Sequence, residues 1–240
     1  MRIATVCVAL LALGLTAAAA EDGFVTIFDG KTLEGWDGNP DFWTVKDGAI
    51  HGETTKEKPT KGNTFCIWRG GELGDFELLI TFRVNSGNSG IQYRSLDVGN
   101  WVVSGYQAEV CNGRGAVGFL YHEKGRGHLC RVGQKVEIGK DGQKNVVNTM
   151  GDARKLTETY KNADWNAYRI VAKGNHLQHF LNGVQTVDLV DNQLDDPKAK
   201  KPNRKAGRLK GILALQIHAG APMWVEFKDI KLKDLSKEGK

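Results

Sequence analysis

The stretch Phe76-Glu77-Leu78-Leu79-Ile80-Thr81-Phe82-Arg83-Val84 decides the fold. Side chains alternate along an extended chain, so Phe76, Leu78, Ile80, Phe82 and Val84 share one face while Glu77, Thr81 and Arg83 share the other. One face is apolar and the other polar, as in a strand that covers a core on one side only. The same alternation recurs at 25–28, 43–45, 49–52, 64–68, 90–95, 106–110, 116–121, 165–173, 176–181, 184–189, 211–218 and 223–232. No helical stripe is sustained beyond about a turn or two. The number and spacing of these segments predict an all-β chain folded as an antiparallel β-sandwich of jelly-roll type.

Turn chemistry supports the antiparallel reading. Asn182-Gly183 and Asp47-Gly48 each separate two alternating runs and suit tight hairpins, because both residue types tolerate positive φ. Lys173-Gly174-Asn175 predicts another turn, which makes 165–189 a meander of three strands. Two segments, 133–164 and 191–210, are polar with scattered Gly and Asn and read as long loops, the first with a short helical turn at 153–161. Long loops on a rigid sheet are common walls of functional sites.

Arg2 precedes an apolar run that ends in Ala17-Ala18-Ala19-Ala20, so residues 1–20 read as a secretory signal peptide and 21–240 as a single domain, secreted or periplasmic. No later stretch approaches the roughly 20 apolar residues of a membrane-spanning helix. The formal charge is +5 over 240 residues, a mild excess that concentrates between Lys198 and Lys210. That stretch lacks the interleaved aromatics of a nucleic-acid surface. Past the signal segment the cysteines are Cys66, Cys111 and Cys130, without zinc-knuckle spacing, so at least one stays unpaired within a monomer. Nucleotide-binding loops and a Gly-x-Ser-x-Gly elbow are absent, which removes any nucleotide cofactor, phosphoryl transfer and serine hydrolysis from consideration.

The chemistry-bearing residues fall on strand faces. Strict alternation puts Gln92 and Arg94 on one face of their strand, Gln107 and Glu109 on one face of the next, and Gln216 with His218 opposite Leu213, Leu215 and Ile217. Polar faces of this kind are plausible floors for a sugar; His218 reads equally as a hydrogen-bonded structural histidine. Tyr121-His122-Glu123, leading into Gly125-Arg126-Gly127-His128, forms a further candidate group in which His122 and Glu123 point to opposite faces if the strand continues. Glu109, His122, His128 and His218 offer mixed oxygen and nitrogen ligands for a divalent metal, without a compact metal motif. Of the six tryptophans, Trp101 lies in the loop between the strands bearing Gln92 and Glu109 and is the best placed for stacking on a sugar.

With these residues in place, the chain resembles the 3-keto-disaccharide hydrolase family, related in fold to concanavalin A-like lectins and glucanases. The resemblance rests on Phe28-Asp29-Gly30-Lys31-Thr32-Leu33-Glu34-Gly35-Trp36, Asn88-Ser89-Gly90-Ile91 with Tyr93-Arg94, Gly105-Tyr106-Gln107-Ala108-Glu109, Leu215-Gln216 with His218, and Phe227-Lys228-Asp229-Ile230. It implies a concanavalin A-like jelly roll that cleaves glycosides oxidised at C3, through loss of the C2 proton and elimination of the C1 substituent. Carried over by position, it implies Glu109 as base or metal ligand, Arg94 as stabiliser of the enolate or substrate, and His218 as acid/base or ligand. Gln92, Gln107 and Gln216 would orient hydroxyls, with Tyr93, Trp101 and His122 as further substrate contacts. A divalent metal would sit among Glu109, His122 and His218. The alternative is a lectin-like carbohydrate-binding module without catalysis. A two-carboxylate glycosidase fits less well, because Glu109 has no acidic neighbour two residues away on either side.

Overall fold

The computed structural model describes residues 23–236, so the signal-peptide reading of 1–20 lies outside the described residues. In chain order the strands are β1 (Val25–Thr26), β2 (Trp36–Asp37), β3 (Trp43–Lys46), β4 (Ala49–Thr54), β5 (Thr64–Trp68), β6 (Phe76–Val84), β7 (Asn88–Gly99), β8 (Val102–Cys111), β9 (Leu120–Glu123), β10 (Gly127–Cys130), β11 (Gln134–Ile138), β12 (Lys144–Thr149), β13 (Asn166–Lys173), β14 (His176–Leu181), β15 (Val184–Asp191), β16 (Ile212–Ile217) and β17 (Met223–Asp234), with one short helix, α1 (Ala153–Leu156). The larger sheet runs β12-β11-β15-β14-β13-β6-β17-β4-β3, with β1 on β17; the smaller runs β10-β9-β8-β7-β16-β5-β2. The chain is an all-β two-sheet sandwich.

The core lies between the sheets. Phe76, Leu78, Ile80, Phe82 and Val84 of β6 face Ile91 and Tyr93 of β7, Tyr106 and Ala108 of β8, and Leu213, Leu215 and Ile217 of β16 in one cluster. Each large apolar side chain buried there contributes about 1.5–3 kcal/mol. Asp47-Gly48 and Asn182-Gly183 take positive φ at both residues and close their hairpins as the sequence predicts. β13, β14 and β15 form the expected meander.

The loop reading of 133–164 is corrected by β11 and β12. They form an edge ribbon whose outer strand β12 is exposed at every position, so no apolar alternation marks it, and the backbone ladder alone defines the strand. β11 also runs parallel to β15, the exception to an otherwise antiparallel pattern among the named strands. The helical turn is shorter than 153–161 and is capped by Asp152, whose carboxylate accepts the backbone N–H of Arg154 and Lys155. Residues 116–118 turn rather than extend, so β9 begins at Leu120.

One irregularity shapes the small sheet. Between Tyr93 and Leu96 the pairing of β7 with β8 slips, and Arg94 takes a left-handed φ of 46°. This β-bulge bends the hairpin beyond it over the outer face of the sheet. The bend lets Phe65 N–H donate to the carbonyl of Trp101 at 2.9 Å and lets Val103 join Phe65, Ile67 and Ala214 in a second, smaller apolar cluster. The folded hairpin covers one end of the outer face. Gly211 opposite the bulge has no room for a Cβ, which would lie 2.5 Å from the Arg94 carbonyl carbon. Cys66, Cys111 and Cys130 are free thiols. Among the described residues no helix is long and apolar enough to cross a membrane.

Candidate active site

The uncovered end of that outer face is a cleft of about 660 Å³. β8 supplies its floor through Gln107, Glu109 and Cys111, β7 through Asn88, and β16 through Gln216, with His218 just past the end of β16. Asn63, ahead of β5, closes one side, and Phe119, Tyr121 and His128 close the other. Glu123 and Lys124 stand at the end of β9. The cleft therefore crosses the strands, with amides and His218 on one flank, aromatic rings on the other, and Glu109 on the floor between.

A chain of buried amides holds Glu109. Ser95 Oγ donates to Gln92 Oε1 at 2.9 Å, Gln92 Nε2 donates to Gln107 Oε1, and Gln107 Nε2 donates to Glu109 Oε2 at 2.8 Å. Gln216 Nε2 donates to Gln107 Oε1 at 3.2 Å, and Asn88 Nδ2 donates to Glu109 Oε1. Gln107 and Gln216 meet across β7 because position 90 has no side chain: a Cβ on Gly90 would lie 2.4 Å from Gln107 Cδ. Gly90→Ala must therefore displace Gln107. Displacements of ~1 Å at a catalytic group can cost about 100-fold, so steady-state kinetics should show kcat/KM falling by about 10–100-fold with little change in melting temperature.

The Glu109 carboxyl is pushed up to about 7, first by burial and additionally by the charge of Glu123, against the opposing hydrogen bonds from Gln107 and Asn88. Among the described residues its hydrogen-bond partners are the neutral amides of Asn88 and Gln107. A carboxylate poised near neutrality both takes and returns a proton with little penalty. Asn63 Nδ2 donates to Glu123 Oε1 at 3.2 Å, while Asn63 Oδ1 accepts the backbone N–H of Ala219, tying the β5 entrance to the segment after His218. His218 Nδ1 lies 2.6 Å from the Ala219 carbonyl, so Nδ1 carries the proton in the neutral ring and Nε2 is the acceptor nitrogen.

Of the residues singled out from sequence, Glu109, Gln107, Gln216 and His218 converge on the cleft, and Gln92 lies beneath it as a support for Gln107. Gln107 is committed to its neighbours, so it orients Glu109 instead of a substrate hydroxyl. Four residues stand elsewhere. Arg94 does not share a face with Gln92, because the bulge at its own position interrupts the alternation. Its buried guanidinium donates to Gly74 O, Gly174 O and Asp75 Oδ1 at the far end of the sandwich. Tyr93 is fully buried between the sheets, stacked on Tyr106, with its hydroxyl 2.8 Å from His179 Nε2. Trp101 is turned to β2, where its indole N–H donates to Asp37 Oδ1 at 2.7 Å beside the Arg69 ion pair.

His122 also faces the core. It stacks on Tyr106, accepts from Arg126 Nε at 2.9 Å, and is pulled down to about 3 by burial and then by the Arg126 charge. The proposed ligand set of Glu109, His122 and His218 is thus divided between two faces of one sheet. Among the described residues no three His, Cys, Asp or Glu side chains converge as metal ligands, so a three-ligand metal centre does not fit this cleft as arranged. Glu123 takes the face opposite His122, as alternation required. Asn63 and Phe119 were not anticipated; only strand order brings them to the cleft.

A family model described as a 3-keto-alpha-glucoside-1,2-lyase-like domain matches residues 23–233. A 3-keto-disaccharide hydrolase of Bacteroides thetaiotaomicron is 38% identical over 89 residues, covering 32% of this chain and 29% of that protein. The match therefore spans about a third of each. A provisionally named glycosyl hydrolase from Parabacteroides distasonis superposes with a TM-score of 0.56 at 20% identity, covering 88% of this chain and 99% of that one. The carbohydrate-binding module CBM66 from Bacillus subtilis gives 0.52 at 13% identity, covering 83% and 95%. At these identities the structural likeness speaks to the fold alone.

Proposed function

From this chain's membership of the 3-keto-alpha-glucoside-1,2-lyase-like family, which spans residues 23–233, we propose that it cleaves glycosides already oxidised at the sugar C3. The observation that carries this reading is Glu109: a buried carboxyl with a value near neutrality, held by amides on the floor of a sugar-sized cleft. A ketone at C3 acidifies the C2 proton, so a carboxylate suffices as base. Glu109 takes that proton, and the C2–H pair forms the C2=C3 enolate. As the C3 carbonyl re-forms, the C1–C2 double bond forms and the C1–O bond breaks. The proton held by Glu109 then goes to the departing oxygen.

Water adds in reverse. Its oxygen bonds to C1 while Glu109 takes its proton and returns it to C2, for net hydrolysis. His218 and the amide groups of Asn63 and Gln216 line the flank where the C3 oxygen would gather charge. Gln92 and Gln107 hold the base in place. The same reading takes residues 1–20 as a removed export signal, with the protein acting outside the cytoplasm.

The test is incubation of purified protein with paired 3-keto and unoxidised glycosides, with and without a chelator. Cleavage of the 3-keto member alone is the expected result; cleavage of the plain glycoside alone, or of neither, would sink the proposal. The chelator should leave the rate unchanged, since the described residues bring no three metal ligands together in the cleft; loss of turnover on chelation would overturn that part of the reading. Because Glu109 must be ionised to act, kcat/KM should rise about tenfold per pH unit below about 7 and level off above it. A profile flat from pH 5 to 8 would argue against Glu109 as the base.

A further inference from the structure

The flank of the cleft opposite the amides is built from rings. Phe119 lies directly beside Glu109, since Glu109 N–H donates to the Phe119 carbonyl at 3.1 Å. Tyr121 sits across from Gln107, and His128 across from Tyr121 on the outermost strand of the small sheet. His128 lies 4.8 Å from Phe119 at 32° and 5.3 Å from Tyr121 at 87°, so the rings make a corner instead of a flat wall. All three line the cleft, and none is fully buried.

Each of these residues spends its side chain on the others. A structural core would have buried them, and a sugar face stacks on one flat ring, which a corner with rings at 32° and 87° does not present. We propose that this aromatic corner is the leaving-group subsite and that it takes a planar aromatic aglycone, making the preferred substrates aryl glycosides. The proposal rests on the 3-keto glycoside reading for the chemistry and on the corner alone for the aglycone class.

The reaction agrees with that assignment. The sugar ring occupies the amide flank above Asn88 and Gln216, its C1–C2 bond lies over Glu109, and the C1 substituent projects toward Phe119. Burial, with the charges of Arg131 and Lys144, pulls the His128 imidazole below its usual range, so the ring beside the leaving oxygen is neutral and a poor acid. A phenol departs with the Glu109 proton only partly transferred, whereas a sugar alcohol, a far poorer leaving group, would call for a second acid on this flank. An edge-on and a tilted ring around one planar guest give the offset contacts that aromatic pairs favour.

Affinity for inert ligands separates the corner from the chemistry. Calorimetric titration would compare phenyl and methyl glucosides in both anomers, unoxidised and therefore not turned over under the proposed mechanism. The phenyl compound should bind about tenfold more tightly than the methyl compound, and Phe119→Leu and His128→Ala should each bring the ratio below about threefold. Leu keeps apolar bulk at 119, so a folded variant that loses the ratio reports the ring itself; circular dichroism and melting temperature check the fold. Equal affinity of the two glucosides, absence of saturable phenyl glucoside binding, or a ratio retained in both variants would overturn the aryl subsite. A disaccharide that binds more tightly than the phenyl glucoside would overturn it in favour of a sugar at the corner. Failure of 3-keto cleavage with the phenyl preference intact would instead reject the proposed reaction and leave the subsite standing.

Discussion

Glu109→Gln should abolish turnover of a 3-keto glycoside and, at pH 8, raise the melting temperature. Loss of a positioned general base costs about 10²–10⁴-fold in rate, and the amide cannot take the C2 proton at any pH. The stability effect follows from the same carboxyl. Its folded value of about 7 lies above the ordinary 4.5, so the folded chain holds this proton more tightly than the unfolded chain does. The stabilisation is fully present below 4.5 and is lost as pH rises through 7. By pH 8 the buried charge has cost on the order of 3 kcal/mol; the variant is relieved of it but loses about 1 kcal/mol for each hydrogen bond from Asn88 or Gln107 that its amide accepts less well. A net gain of about 1–2 kcal/mol corresponds to roughly 2–8 °C for a chain of this size. At pH 5, where Glu109 is mostly protonated, the gain should vanish. Parallel melts at the two pH values check the sign: a variant destabilised equally at both would show that the carboxylate is held by its neighbours for the sake of the fold and not at a cost to it.

The amino-acid sequence displays the strands that cover the core on one side, because burial of a single face imposes alternation. β6 and β14 are therefore legible to the residue, while β5, buried on both faces, shows as a short continuous apolar run. β12 is not, since an edge strand exposed on both faces has no burial to record, and β11 buries only Val136 and Ile138 over five residues, too short an alternation to stand out from the polar segment around it. The site divides on the same physics. Gln107 with Glu109 follow strict alternation on β8, Gln216 does so on β16 with His218 one residue past its end, and all four meet where that pattern puts them. Arg94 carries no Gly, Pro or Asn at its own position to announce a bulge. The glycine that permits the close approach, Gly211, is more than a hundred positions further on. Strand order is equally silent in one chain, so Asn63 and Phe119 reach the cleft from segments with no local mark of function. The aromatic flank needed two strand pairings, β8 with β9 and β9 with β10, before its three rings became neighbours.

Arg94→Met should unfold readily yet leave the chemistry of the surviving folded protein nearly intact. The guanidinium is fully buried and spends its donors on Gly74 O at 2.8 Å, Gly174 O at 2.6 Å and Asp75 Oδ1 at 2.9 Å. Asp75 Oδ1 also accepts the Gly174 N–H, so one arginine ties the approach to β6 to the β13–β14 turn across the end of the sandwich. Burial pulls the guanidinium below its ordinary range, with the Asp75 charge opposing, and an arginine still keeps its proton under such a shift. Methionine fills the channel but leaves the Gly74 and Gly174 carbonyls without this donor and Asp75 with the Gly174 N–H alone of the two. Because Asp75 is partly solvated, the loss is that of the buried hydrogen bonds, about 1–3 kcal/mol, or roughly 2–12 °C in melting temperature. Lysine retains charge but presents one nitrogen where three separated acceptors require a planar fork, so Arg94→Lys should recover only part of the loss. Measured well below the melting temperature, kcat/KM of Arg94→Lys should stay within about threefold of the parent, because the guanidinium reaches no residue of the cleft. A variant with an unchanged melting temperature and a rate reduced about a thousandfold would return Arg94 to the enolate. It would also require the bulge to reverse, since only a regular strand turns position 94 toward Glu109.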